Sequence, residues 1–269
     1  MAPSSEIVNQ NLAKQGPVSE ENKVKELTDS EIKKLIDDFA YATEISLKAG
    51  YDGIEIHGDN NYLIQQFYSP YTNRRTDDWG GSVEKRMNFP LKIVDACCKV
   101  REKYNRPDFI IDYRLSPEEP YETGLTMTET LKLVRALVNK PLQFIHISQH
   151  DYFKKARRGE DAGQERLKLI HEITKGKTAL MGIGGLVSEK DLNKALKTGF
   201  SEFIGVGCAS MINKDYAILL KGNKGDKIEL ELDPEHPEKY YIPKKLWDMC
   251  LPGPDWFPYV KGKNHLSNK

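Results

Sequence analysis

The sequence predicts an α/β fold of the (β/α)8 TIM-barrel type, incomplete by count and followed by an irregular C-terminal tail. Three observations predict it. Short apolar runs alternate with helical periodicities five times between residues 51 and 221, the pattern of right-handed βαβ units on a parallel sheet. Each run ends in a polar residue or glycine: His57, Arg114, Ser148, Gly184-Gly185, and Gly205 with Gly207. Barrel sites are built at those strand ends from several strands at once. A doubly wound dinucleotide fold asks instead for G-x-G-x-x-G after an early strand, and Gly182-x-Gly184-Gly185 comes late and at another spacing.

Taken in order, residues 1–27 are polar, carry Pro3, Gly16 and Pro17, and read as loop. Thr28-Asp-Ser-Glu31 is a capping box. It opens a helix whose apolar positions Ile32, Leu35, Ile36 and Phe39 recur at helical spacing up to a Gly50 cap. Strands are expected over Tyr51–His57, Phe109–Arg114, Phe144–Ser148, Thr178–Gly184 and Phe203–Gly207. Helices are expected over 83–104, 126–138, 164–174, 189–198 and 213–221. Five strands fall short of the eight that fill a barrel of about 250 residues. Residues 1–222 are therefore expected to form about the last five βα units of a barrel, and 223–269 a C-terminal extension. That extension is rich in Pro, Lys and aromatics, with one alternation at Ile228–Leu232.

Composition bounds the function. The 269 residues carry 40 basic and 40 acidic side chains. A neutral balance gives no electrostatic case for nucleic acid or an anionic membrane surface. No apolar run approaches the ~20 residues of a membrane span, and the first thirty residues show no signal-peptide pattern. Cys97, Cys98, Cys208 and Cys250 fit neither a disulfide framework nor a metal-binding spacing. The expectation is no metal, and reduced thiols in a cytoplasmic protein.

Residues 50–86 are more specific. The run Gly50-Tyr-Asp-Gly-Ile-Glu-Ile-His57-Gly-Asp-Asn60-Asn-Tyr62, continued through Pro70, Asn73, Arg75, Asp77, Gly80-Gly81 and Arg86, resembles the Old Yellow Enzyme family of FMN-dependent NADH:flavin oxidoreductases and ene-reductases. Further matches follow in order: Arg114-Leu-Ser-Pro117, Gly124-Leu-Thr, His146-Ile-Ser148, Gly182-Ile-Gly184-Gly185 and Gly205-x-Gly207. The resemblance covers roughly residues 1–220 and places them in the C-terminal portion of that barrel, beginning just before its fourth strand.

On their own, His57 and Asn60 lie three residues apart just past a strand end, where two donors can converge on one oxygen. The resemblance implies that they hold a substrate carbonyl or a phenolate over FMN, and that Tyr62 is the proton donor. It implies that Arg114 faces the negatively charged edge of the reduced flavin; the bland alternative is a salt bridge to Asp112 or Glu118. Gly184, Gly185 and Gly207 fall where backbone N–H groups could approach the FMN phosphate. Cys208 departs from the family, which places an arginine there, and so removes a charge from the phosphate site. Asn61 stands where glycine is usual. Asn73, Arg75, Asp77, Gly80-Gly81 and Arg86 read as structural, and Lys154–Arg158 as a solvated loop.

The expected function is an FMN-dependent oxidoreductase that takes electrons from NADH or NADPH and acts on a small molecule, an activated alkene or another acceptor. The rival is a non-catalytic barrel fragment, completed by a homo-oligomer or by a partner chain. A barrel lyase or isomerase fits less well, because no lysine stands at a strand end.

Overall fold

The computed structural model describes residues 2–5, 24–252 and 258–262. Most of the loop expected over 1–27, and the tail's Pro254 and Trp256, lie outside the described residues. The chain forms two compact units, 1–148 with 155–180 and 149–154 with 181–269.

The first unit opens with helix α1 (Asp29–Lys48), started by the expected capping box: Thr28 accepts from the Glu31 N–H, and the Glu31 carboxylate takes the Thr28 N–H. Strand β1 (Gly53–Gly58) follows, then the short helices α2 (Leu63–Tyr68) and α3 (Val83–Arg86) and the longer α4 (Asn88–Lys103). Strand β2 (Ile110–Leu115), helix α5 (Met127–Leu137), strand β3 (Phe144–Ile147) and helix α6 (Arg166–Thr174) complete it. The three strands are parallel and in chain order, with His57 opposite Arg114 and Arg114 opposite His146. The helix expected over 83–104 is broken at Met87, and α2 was not foreseen because six residues carry too little periodicity.

Alternation along these strands sorts their faces. Ile56, Ile111, Tyr113, Ile145 and Ile147 are buried on one side, where α1 packs on β1 and α4 on β2. Glu55, His57, Asp112, Arg114 and His146 fall on the other side. Parallel strands usually read as continuous apolar runs, so a charged face marks a site. Gly58 is fixed by packing, since a Cβ there would lie 2.3 Å from the Tyr113 hydroxyl.

The turn after β1 explains Asn61. Asn60 and Asn61 both take left-handed φ values, 53° and 59°, and the Tyr62 N–H closes the turn on the Asp59 carbonyl at 3.1 Å. Asparagine is the L-residue that tolerates this region best after glycine. The Asn61 N–H donates to Gln65 Oε1, and Gln65 Nε2 donates to Asn61 Oδ1, both at 3.1 Å. Gln65 is held in turn by Glu119 at 2.7 Å. Asn61→Val is expected to lose at least about 1–2 kcal/mol through the left-handed backbone alone. Asn61→Gly is expected to be near neutral, because the relieved backbone offsets the lost side-chain bond. Urea midpoints of the two variants check this, and equal midpoints would remove the conformational argument.

Strand β4 (Ala179–Gly182) has its first two residues in the first unit and its last two in the second, where Met181 and Gly182 pair in parallel with β5 (Phe203–Ile204). Helix α7 (Glu189–Leu196) starts from a Ser188–Asp191 capping box. An unforeseen helix α8 (Cys208–Ile212) precedes α9 (Tyr216–Lys221), which lies within the helix expected over 213–221, and the Asn213 amide between them bonds to the Ala209 and Glu229 carbonyls. Residues 228–232 form no strand; Leu232 makes a single bridge to Val260. The tail adds an unforeseen helix, α10 (Lys244–Cys250). Its Trp247 stacks on Tyr240 at 5.7 Å, in a core with Ile212, Leu232, Cys250 and Val260.

Candidate active site

The site in the first unit centres on Asp59, whose side chain is wholly buried. His57 Nδ1 and Arg114 Nε each lie 2.9 Å from one of its carboxylate oxygens. These contacts are ion-pair distances without the alignment of hydrogen bonds. The Arg114 Nη2 donates to Ser148 Oγ at 2.9 Å, and Nη1 lies 3.7 Å from Glu55. Arg114 is therefore paired, but with Asp59 and Glu55 rather than with Asp112 or Glu118.

His57 remains two-fifths exposed. Its ring meets Tyr62 with centroids 5.3 Å apart. Tyr62 itself is 63% exposed at the N-terminus of α2. Asn60 is exposed, and its backbone N–H is anchored on Ser116 Oγ at 3.1 Å. The fold thus brings His57, Asn60, Tyr62 and Arg114 to one strand end, three of them accessible and Arg114 partly covered. The rigid turn holds Asn60 while leaving its side chain without a hydrogen bond among the described residues.

One layer down on the same face, Glu55 stands opposite Asp112, and His146 Nδ1 lies 2.6 Å from Glu55 Oε2. Ligand-type atoms of these three lie within 4.8 Å of one another. Burial, and then the neighbouring Glu55 charge, push the Asp112 carboxyl up to about 8. The Arg114 guanidinium lies 3.7 Å from Glu55, on the same face as the trio.

Folding raises Asp112, so the folded state holds its proton more tightly than the unfolded chain does. That contribution is full below the ordinary carboxylate range and is lost as pH rises through about 8. The slope is at most about 1.4 kcal/mol per pH unit, less what solvent screens at the exposed part of the pair. This group is therefore expected to lower stability from about pH 4 to about pH 8, and Asp112→Asn to flatten that fall. Urea midpoints across this range would check it; parallel profiles for the two proteins would overturn it.

In the second unit, Gly184 and Gly185 take left-handed φ values of 131° and 64°. A Cβ on Gly184 would lie 2.7 Å from the Asp151 nitrogen and the Gln149 carbonyl oxygen, so this glycine is required by the loop it touches. At Gly207 a Cβ would meet nothing within 4 Å, which leaves room beside the start of α8. Burial pushes the Cys208 thiol up, so it brings no negative charge there.

The residues read as structural tie loops together. Asn73 Nδ2 donates to the Phe67 and Trp79 carbonyls. Arg75 Nη1 reaches the Pro3 and Leu27 carbonyls, and its guanidinium also pairs with Asp77 at 2.5 Å. Arg86 holds the Tyr68 and Gly81 carbonyls and pairs with Glu129. Lys154–Arg158 is not the wholly solvated loop expected: Ala156 is buried, and the half-buried Arg158 donates to the Gly124 and Leu125 carbonyls. Sequence reasoning missed Asp59 and Glu55. The signal available was spacing: an acid directly after a strand end, and a glutamate two positions before His57, hence on the same face.

The sequence profile of the NADH:flavin oxidoreductase / NADH oxidase family matches residues 2–226, and the chain belongs to that family. It is 39% identical over 259 residues to the probable NADH-dependent flavin oxidoreductase YqiG of Bacillus subtilis, covering 96% of this chain and 69% of that protein. It is 33% identical over 227 residues to the NADH:acrylate oxidoreductase of Vibrio harveyi, covering 83% of this chain but 22% of that protein. The structure of an old yellow enzyme homologue from Zymomonas mobilis superposes with a TM-score of 0.65 at 23% identity, over 84% of this chain and 61% of that one. That likeness establishes an α/β fold of the same type, with a parallel sheet. No described helix is long and apolar enough to cross a membrane.

The family's cofactor is flavin, with NADH as reductant. In the first unit one observation fits a flavin: the Arg114 Nε is buried without a hydrogen bond.

Proposed function

We propose that this chain is an FMN-dependent oxidoreductase of Old Yellow Enzyme type, reduced by NADH or NADPH, acting on an activated alkene or a related acceptor. When bound, FMN supplies the hydride transfer. The observation that carries the reading is the strand-end group in which buried Asp59 stands between His57 and Arg114. Two side chains of different chemistry are steadied by one carboxylate while their neighbours Asn60 and Tyr62 stay accessible.

In this reading His57 and Asn60 receive the substrate's carbonyl or carboxyl oxygen and stabilise the charge that develops on it. Tyr62 delivers a proton to the carbon alpha to that group; its phenol is a weak acid in water but suffices for a carbanion. Arg114 would hold the flavin at its negatively charged ring edge. Gly184, Gly185, Gly207 and Cys208 would be the residues to hold its phosphate through backbone N–H groups, with no guanidinium at position 208. Acrylate, named for the Vibrio harveyi relative, is an alkene conjugated to a carboxylate and supports this acceptor class. The neutral charge balance, the absence of disulfides among the described cysteines and a cytoplasmic setting belong to the same reading.

The test is the visible spectrum of the purified chain, with and without added FMN. A bound-flavin spectrum that NADH bleaches without air is expected. A folded protein that retains no flavin in excess FMN would overturn the reading for this chain alone. One observation favours a second reading in that case: five strands among the described residues, against the eight of a closed barrel. Flavin retention would then depend on strands from another polypeptide, by a homo-oligomer or a partner chain.

A further inference from the structure

The proposed reaction leaves Glu55, Asp112 and His146 unused, yet their ligand-type atoms lie within 4.8 Å of one another. They come from three adjacent parallel strands and share one face. Asp112 is 3% exposed and His146 8%. Glu55 and Asp112 are register partners, so two full negative charges would sit side by side, with Asp112 buried and Glu55 still a third exposed. Such a pair keeps one proton between them. His146 fixes where the remaining charge rests: its Nδ1 meets Glu55 Oε2 at 2.6 Å, while its buried Nε2 has no hydrogen bond.

The charged groups facing the trio are few. Arg114 on β2 lies 3.7 Å from Glu55, and beyond it come Asp59 and His57. Helices α1 and α4 pack on the opposite, apolar face. Two groups are placed to hold Glu55 ionised, the His146 ring at 2.6 Å and the Arg114 guanidinium at 3.7 Å, and Asp59 already shares Arg114.

We propose that Glu55, Asp112 and His146 form a proton-holding site coupled to Arg114, so that an anion drawing on the guanidinium is bound together with a proton. The proton comes from solvent and bonds to a Glu55 oxygen as the guanidinium's charge is spent on the anion; it returns to solvent when the anion leaves. This rests on the function proposed above for the anion's identity, the negatively charged edge of the flavin ring. It gives that reading a local means of balancing charge. Burial opposes the Glu55 charge, but the His146 bond and charge, the Asp112 proton and Arg114 outweigh it and hold Glu55 low. The trio's proton affinity is therefore expected to follow the charge at Arg114.

Infrared spectroscopy of the flavin-free protein tests this directly. Nearly all of the 40 Asp and Glu side chains are ionised at neutral pH, so a protonated carboxyl stands out by its carbonyl stretch. The wild-type protein is expected to show that band at neutral pH, and to lose it as pH passes about 8. Asp112→Asn is expected to abolish the band. Glu55→Gln should move its midpoint to lower pH, and Arg114→Gln to higher pH. No band at neutral pH in the folded wild type, or a midpoint that Arg114→Gln leaves in place or lowers, would overturn the proposal. If Arg114→Gln does not fold, the wild-type band and the Glu55→Gln shift decide it. FMN plays no part in this measurement, so failure to bind flavin sinks the function above without touching this result.

Discussion

Replacing His57 by alanine is expected to lower kcat/KM for an α,β-unsaturated carbonyl or carboxylate substrate by about 100- to 1000-fold, the cost of losing one oxyanion donor. The argument is geometric. His57 is two-fifths exposed at a strand end, its ring is braced by Tyr62 at 5.3 Å, and a buried carboxylate backs it. Asn60→Ala should show a loss of the same order, and the double variant much less than the product, because in the proposed function the two donors serve one oxygen. Flavin retention should survive in both, since neither residue is assigned to the cofactor. Steady-state kinetics under anaerobic conditions read these effects. A His57→Ala protein with flavin bound and kcat/KM within about threefold of wild type would place the substrate oxygen elsewhere.

The largest expected loss of stability lies away from the site. Arg166 and Glu118 form an ion pair at 2.5 Å, with side chains 4% and 0% exposed. Glu118 also accepts the Arg157 N–H at 3.0 Å. Burial works against the Arg166 charge, and only Glu118 offsets it. Arg166→Met removes the cation and leaves a buried carboxylate uncompensated, which costs about 3–5 kcal/mol, or about 10 °C of melting temperature for a chain of this size. Adding Glu118→Gln should restore most of that loss, since the second change removes the orphaned charge and keeps an acceptor for Arg157. Thermal melts of the single and double variants would settle it; a double variant no better than the single would show that the pair is held for packing rather than charge.

The parts of this protein that repeat with a period were legible in its sequence. Strands β3 to β5 fall within the expected runs and β1 and β2 overrun theirs by one residue, because Ile56, Ile111 and Ile145 announce a buried face. Helix α1 announces itself through Thr28 and Glu31. What failed was short or tertiary. Helix α2 spans six residues and α10 seven, below the length at which a helical stripe stands out. The role of Asn61 depends on a φ of 59° and on Gln65, neither visible in a residue's identity. The partners of Arg114 were misjudged because nearness in sequence suggested Asp112 and Glu118. The fold instead delivers Asp59, more than fifty positions away. Family likeness supplied His57, Asn60 and Tyr62 but was silent on the carboxylate between them.

The division of β1, β2 and β3 into an apolar and a charged face also guards the chain while it folds. Sliding any of these strands by one residue would turn every side chain over. Glu55 and Asp112 would be driven in among the isoleucines, and Ile56 and Ile111 out beside Arg114. An error of one position would thus bury several unpaired charges at once, whereas in a strand apolar on both faces it would cost little. The residues set aside for chemistry also act as a ruler against which the sheet is aligned, and their replacement by apolar residues is expected to loosen registration before it loosens the core.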